Sequence, residues 1–82
     1  MRATVLVRPK EGILDPQGEA VRHSLRKLGF DVEAARVGRV IDLELDADGP
    51  EQATSQIQRM CSELLANPLI ESFEIRLEEE TA

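Results

Sequence analysis

Three stretches of the chain alternate apolar and polar residues, which is the pattern of a half-buried β-strand. Residues 2–8 place Ala3, Val5 and Val7 on one face. Pro9 then ends the strand, because proline donates no hydrogen bond to a sheet. The same alternation predicts two further strands: residues 39–47 and residues 70–78.

Two other stretches carry apolar residues three and four positions apart, which predicts amphipathic helices. The first begins at Asp15 and Pro16, an N-cap followed by a proline suited to the first helical position, and ends at Gly29. The second begins at 48–50 and ends before Asn67. The apolar stripes consist of Val21, Leu25 and Leu28 in the first helix, and of Ala53, Ile57, Met60, Cys61, Leu64 and Leu65 in the second.

Residues 30–37 predict a fourth strand, with Val32 and Val37 as its clearest apolar positions. The element order is then βαββαβ in one domain, residues 1–82. This order predicts an α+β fold of the ferredoxin-like type, a four-stranded antiparallel sheet with both helices on one face. The other face is expected to carry Thr4, Asp42, Glu44, Glu74 and Arg76, with Leu6 and Val40 as apolar exceptions.

Composition excludes several classes of function. The chain has a net charge of −6 and only two aromatic residues, which argues against nucleic-acid binding. One cysteine and one histidine build neither a disulfide nor a Cys/His zinc site. No run of about 18 apolar residues and no signal-peptide core occur, so we expect a cytoplasmic protein with no membrane partner. A domain this small without disulfides often oligomerises.

The charge is distributed unevenly along the chain. Residues 1–41 hold eight basic and five acidic side chains, or +3, whereas residues 42–82 hold two basic and eleven acidic ones, or −9. This polarity either orients a partner electrostatically or marks one half as a more acidic solvated face.

No catalytic constellation is evident, and no catalytic or metal-ligating residue is predicted. His23 lies off the apolar stripe of its helix and is expected to be solvated. Cys61 lies on an apolar stripe and is expected to be a small core residue. Four alternating acidic residues could collect a hard cation, although a solvated or partner-facing surface is the stronger interpretation: Asp42, Glu44, Asp46 and Asp48.

Two segments are more specialised than a plain scaffold requires. Gly18 lies in the first turn of a helix, where glycine costs roughly 1 kcal/mol relative to alanine. It indicates close approach of another backbone, or simply a loose helix start. In 36–39, Arg36 and Arg39 flank a predicted hairpin at Gly38. These arginines either recognise carboxylates or phosphates, or are solvated.

Taken together, these segments resemble the PurS family, the small subunit of phosphoribosylformylglycinamidine synthase. The resemblance spans nearly the whole chain, and the motifs are specific as a set although weak singly. Two positions depart from the usual family pattern, Ser24 and Arg39. The residues that carry it are Leu14-Asp15-Pro16-Gln17-Gly18, Ala20-Val21, Leu25, Gly29-Phe30, Val37-Gly38-Arg39, Met60-Cys61, Leu64-Leu65-Ala66-Asn67-Pro68-Leu69-Ile70-Glu71 and Phe73-Glu74-Ile75.

The resemblance implies a non-catalytic subunit of a purine-biosynthetic ligase. It implies bridging between a glutaminase, which releases ammonia, and a large ATP-dependent synthetase, which holds ATP and Mg, with no cofactor in this chain. It also implies self-association as a dimer or tetramer and assistance to ammonia transfer. The partner interface is expected to include Leu14, Asp15, Pro16, Gln17, Gly18, Arg36, Gly38, Arg39, Asn67 and Pro68, with the arginines pairing with carboxylates of the large subunit.

A regulatory module is the alternative. ACT-like domains share the expected fold, also place Asp-Pro and Gly between the first strand and helix, and bind amino acids at dimer interfaces. Fold-level analogy is the only support for that alternative. An amino acid that raises the melting temperature of the chain would favour it.

Overall fold

A computed structural model describes residues 1–78 of the 82-residue chain. The architecture is α+β, with two helices and a three-stranded antiparallel sheet. The strands are β1 (Arg2–Pro9), β2 (Arg39–Glu44) and β3 (Glu71–Glu78). The helices are α1 (Pro16–Lys27) and α2 (Pro50–Met60), and the π-helical turn Cys61–Leu65 continues α2.

The sheet has the order β2–β1–β3, so β1 is its central strand. Val5 lies opposite Ile41 on one side and Ile75 on the other. All three inward residues of β1 are at most 2% exposed: Ala3, Val5 and Val7. The alternation in the sequence therefore identified the three strands of the sheet and their buried face.

Helix α2 covers the inner face of the sheet. Its Ala53 and Ile57, and Cys61 of the following turn, are fully buried. The outer face is polar, as expected: Thr4 donates a hydrogen bond to Asp42 across the strands at 3.0 Å. The core therefore consists of one helix packed on one side of a sheet.

Within residues 1–78 the sheet has three strands, and the expected strand at 30–37 is not one of them, so the α+β class is shown and the fourth strand is not. Residues 30–38, here called the return segment, have no regular secondary structure. The amide of Phe30 bonds Leu25 of α1 and the amide of Val37 bonds Asp15, instead of a neighbouring strand. These bonds hold the return segment to α1 at both of its ends.

Helix α1 also departs from the expectation that both helices cover the sheet. Gly18 is its only buried residue, and none of its side chains belongs to the core of the described chain. Val21 is 42% exposed and Leu28 is 73% exposed, although both lie on the predicted apolar stripe. The radius of gyration is 16.1 Å, against about 12 Å for a compact domain of this length. We call α1 with the return segment, residues 16–38, the arm.

The predicted ends of the helices agree closely with the structure. Asp15 occupies the N-cap position of α1, and Gly49 precedes Pro50 at the start of α2. Gly29 has a φ of +96°, the left-handed conformation that ends a helix and that glycine adopts without strain. The expected strand 39–47 ends early, at Glu44.

Shortening the buried side chain of Ile57 tests the position of the core. Ile57→Ala should lower the free energy of unfolding by about 2–5 kcal/mol, because it leaves a cavity between α2 and the sheet. Gln58→Ala, at the exposed neighbouring position, should change it by less than about 0.5 kcal/mol. Urea unfolding at one fixed chain concentration measures both. Equal effects of the two substitutions would contradict this packing.

Candidate functional site

The antiparallel topology brings the three predicted interface segments to one end of the sheet. The end of β1 lies beside the starts of β2 and β3, since Val7 pairs with Arg39 and Pro9 pairs with Glu71. The segments 14–18, 36–39 and 67–68 adjoin these strand ends in sequence. We call this end the junction end. It gathers Leu14, Asp15, Pro16, Gln17, Gly18, Arg36, Gly38, Arg39, Asn67 and Pro68.

Asp15 and Gly18 hold the return segment against the start of α1. The Asp15 carboxylate accepts a hydrogen bond from the Val37 amide at 2.8 Å. A Cβ at Gly18 would overlap the carbonyl oxygen of Ala35 and lie 2.5 Å from the Asp15 carboxylate. The glycine in the first helical turn is therefore explained by a close backbone approach, and the approaching backbone is that of this chain.

Hydrogen bonding also alters the acidity of Asp15. The Val37 amide makes the largest contribution, followed by the Gly18 amide, and together they hold the pKa of the carboxyl below its ordinary value. The charged form is favoured because these donors stabilise a carboxylate. We call this contact between Asp15, Gly18, Ala35 and Val37 the clamp.

Gly38 is a second position where a side chain would not fit. A Cβ there would overlap the carbonyl oxygen of Val7, at the end of β1. The chain therefore passes close to the end of β1 as it enters β2. The hairpin predicted at Gly38 does not form, because no strand precedes β2 there. Gly38 fixes where the arm leaves the sheet.

Arg39 joins the start of β2 to the start of β3. Its guanidinium bonds the Glu71 carboxylate at 3.0 and 3.1 Å and the carbonyl oxygen of Leu65 at 2.8 Å. Glu71 also accepts a hydrogen bond from the Asn67 amide at 2.8 Å. The Asn67 amide, and then Arg39, lower the pKa of Glu71. The Arg39 and Asn67 positions therefore have a structural role within the chain.

The loop after β1 is tied to the same turn. Lys10 donates its side-chain ammonium to the carbonyl oxygen of Pro68 at 2.7 Å, and its amide bonds Ile70 at 2.9 Å. The Asn67 side chain accepts a hydrogen bond from the Leu69 amide at 3.1 Å. These bonds hold the loop after β1 and the turn before β3 together at the junction end.

An open cleft of about 400 Å³ separates the loop 10–15 from Ala35 and Arg36. Leu14 stands at this cleft with 79% of its surface exposed. Arg36 lines it too, and its charge contributes to lowering the pKa of Asp15. Leu14 and Arg36 are thus accessible for contact with another molecule.

The sequence did not identify every exposed apolar group near this end. Leu64 was expected on the buried stripe of α2 but is 83% exposed, and Leu69 is 82% exposed. Leu64 lies in the π-helical turn Cys61–Leu65, whose wider winding rotates its residues away from the stripe of an α-helix. Periodicity counted at 3.6 residues per turn misses such a rotation.

The remaining candidate groups show no catalytic arrangement. His23 is exposed, as expected. Cys61 is fully buried, also as expected, and burial raises the pKa of its thiol. Among residues 1–78, no group of three or more His, Cys, Asp or Glu side chains is placed to hold a metal ion. In that same part of the chain no helix is long and apolar enough to cross a membrane.

The hydrogen bonds of the clamp should be lost when the Asp15 carboxylate is protonated. The bonds to the carboxylate are present above its ordinary pKa of about 3.9 and are lost as the pH falls through the lowered native value. The Val37 amide proton shift, followed by NMR, should therefore titrate with a midpoint below about 3.9. Asp15→Asn should remove this transition, whereas Asp31→Asn, elsewhere on the arm, should leave it. A transition that persists in Asp15→Asn would contradict the clamp.

Comparison with known proteins finds relatives over nearly the whole chain. The family model PurS, described as phosphoribosylformylglycinamidine (FGAM) synthase, matches residues 2–79. The chain is 35% identical to the phosphoribosylformylglycinamidine synthase subunit PurS of Methanocaldococcus jannaschii, with 94% of each chain covered. It is 34% identical to that of Bacillus subtilis, with 99% of this chain and 96% of the relative covered.

Solved structures show the same likeness. The crystal structure of the M. jannaschii PurS superposes with a TM-score of 0.87 at 33% identity, covering 98% of both chains. A chain in the structure of PurLQS from Thermotoga maritima gives a TM-score of 0.83 at 34% identity, covering 92% of this chain and 93% of that one. The match extends over sequence and fold alike, and the chain belongs to the PurS family of phosphoribosylformylglycinamidine synthase subunits.

Proposed function

We propose that the chain acts as one PurS-like unit, the non-catalytic small subunit of phosphoribosylformylglycinamidine synthase in purine biosynthesis. The observation that carries the proposal is the match over nearly the full chain to a subunit found in the PurLQS structure. The chain bridges a glutaminase and an ATP-dependent synthetase and assists the transfer of ammonia between them. ATP and Mg belong to the synthetase, and this chain takes no cofactor.

The junction end is the proposed contact with the synthetase. It combines the exposed apolar side chain of Leu14 with the cation of Arg36 beside an open cleft. An apolar anchor beside a cation suits a protein surface that carries carboxylates. Arg39 contributes through its half-exposed guanidinium, which stays bonded to Glu71. Asp15 and Gly18 support the contact by shaping the cleft.

Self-association and location complete the proposal. The chain forms a dimer or tetramer in the cytoplasm. Leu28 and Phe30, on the arm, are 73% and 58% exposed, and association would remove such apolar surface from water.

A reconstituted synthase tests the proposal directly. Formation of formylglycinamidine ribonucleotide is measured with the synthetase and the glutaminase, with and without this chain, from glutamine or from added ammonia. We expect the glutamine-dependent rate to fall at least tenfold without the chain, and the ammonia-dependent rate to fall much less. Equal rates with and without the chain would contradict the proposal, and a melting-temperature shift with an amino acid would then favour a regulatory module.

The same assay tests the junction end. Leu14→Ser with Arg36→Ala should raise the chain concentration needed for half-maximal glutamine-dependent activity by about tenfold or more, because both contacts are removed. Gln58→Ala, on the exposed face of α2, is the matched control and should leave that concentration unchanged. Sedimentation of the variants alone shows whether self-association is intact. If the double variant reaches half-maximal activity at the same concentration as the unmodified chain, these two residues are not part of the interface.

A further inference from the structure

The last turn of α2 does not continue the winding of the helix. Residues Cys61–Leu65 form a π-helical turn, here called the π turn. The amide of Ala66 bonds the carbonyl oxygen of Cys61, five residues back, at 3.1 Å. Turns of this kind are rare and often lie at functional sites. A local contact must therefore favour this winding over that of an ordinary α-helix.

The π winding changes which side chains of the turn face the core. An α-helical turn would place the third and fourth residues after Cys61, Leu64 and Leu65, on the buried stripe of α2. In the structure Leu65 is only partly buried, Ala66 is 8% exposed and Leu64 is 83% exposed. The π turn thus buries an alanine where an α-helical turn would bury a leucine. The hydrophobic effect opposes that choice, so another interaction has to offset it.

Hydrogen bonds from the starts of β2 and β3 supply that interaction. The Arg39 guanidinium donates to the carbonyl oxygen of Leu65, the last residue of the π turn, at 2.8 Å. It also bonds the Glu71 carboxylate at 3.0 and 3.1 Å, and Glu71 accepts the amide of Asn67 at 2.8 Å. Hydrogen bonds that involve charged groups are stronger than those between neutral groups. We call these bonds the latch.

The latch depends on the direction of two backbone groups, the Leu65 carbonyl and the Asn67 amide. In an α-helical turn the amide of Leu65, and not that of Ala66, would bond the Cys61 carbonyl. The residues that follow would then be rotated by about 100° around the helix axis, which turns the Leu65 carbonyl away from Arg39. The latch and the α-helical winding therefore exclude each other, and the turn is an element with two discrete arrangements.

We propose that Arg39 is a positioning residue that selects the π winding and so keeps Leu64 outward. Leu64 then extends the contact of the junction end with the synthetase, because Asn67 and Pro68 of that end closely follow the π turn in the chain. The effect of Arg39 on this contact passes through Leu64, since its guanidinium is engaged by Glu71 and Leu65. The partner of Leu64 rests on the proposed function, whereas the choice of winding does not.

Solvent relaxation of the Leu64 methyl groups tests the choice of winding. A soluble gadolinium chelate enhances the NMR relaxation of protons that solvent reaches, so the enhancement should be strong in the unmodified chain. Arg39→Ala should lower it by about threefold or more, because the released turn takes the α-helical winding and buries Leu64. Glu71→Gln removes the charge but keeps an acceptor, and should lower it by a smaller factor. If Arg39→Ala does not fold, Glu71→Gln decides the test.

Arg59→Ala is the matched control. It removes another arginine–carboxylate pair of the same helix, with Glu63 at 3.1 Å, in which the arginine is exposed and bonds no carbonyl of the π turn. The enhancement at Leu64 should stay unchanged in this variant. A fall as large as that in Arg39→Ala would show that loss of any such pair rearranges the turn, and would contradict a specific role of Arg39.

The reconstituted synthase tests whether Arg39 acts through Leu64. Arg39→Ala and Leu64→Ser should each raise the chain concentration for half-maximal glutamine-dependent activity by about threefold or more. The double variant should need about the same concentration as Leu64→Ser alone, because the two residues act on one contact. A direct contact between Arg39 and the synthetase predicts instead that the two effects multiply. Arg59→Ala should leave the concentration unchanged.

Three results would overturn the positioning role. They are an unchanged enhancement at Leu64 when the latch is broken, an unchanged synthase requirement in Leu64→Ser, and effects that multiply in the double variant. If the enhancement falls as expected but the synthase does not need the chain, the choice of winding stands and the proposed function is wrong. If the synthase needs the chain and the enhancement is unchanged, the proposed function stands and the role of Arg39 is wrong.

Discussion

The contact between Gly18 and Ala35 is the constraint on which the rest of the structure depends. With the bond from Val37 to Asp15, it attaches the return segment to α1 and keeps it from β2. The sheet therefore has three strands, and α1 leaves its apolar stripe exposed. Within residues 1–78 the buried core does not extend to that stripe. An intramolecular contact thus determines which surfaces are available for assembly.

The two ends of the sheet differ in their side chains and hydrogen bonds. The junction end holds a network of hydrogen bonds, from Arg39 to Glu71 and from Lys10 to Pro68, that supports an exposed Leu14 and Arg36. The opposite end is acidic. The chain belongs to a family of synthase subunits, and the exposed groups of the junction end suit the contacts with other subunits that the proposed function requires.

The sequence predicted much of the fold because the signals were local. Strand alternation located β1, β2 and β3, and the glycine and proline positions located both helices. The segment 30–37, predicted as a strand on Val32 and Val37, is not a strand of the sheet, and its Val37 amide bonds Asp15 instead. Leu64 was misplaced because a π-helical turn changes the periodicity. The junction residues were proposed from two specialised segments, at Gly18 and at 36–39, and from the family motif. Their bonds within the chain depend on tertiary contacts that no local pattern specifies.

Thermal unfolding at different chain concentrations tests the central claim, that the chain self-associates and so removes its exposed apolar surface from water. Because a folded dimer is stabilised by mass action, the melting temperature should rise with concentration. We predict a rise of more than about 5 °C over a hundredfold range. A melting temperature that stays constant over that range would show that folding of the chain is not coupled to self-association, and would contradict the account.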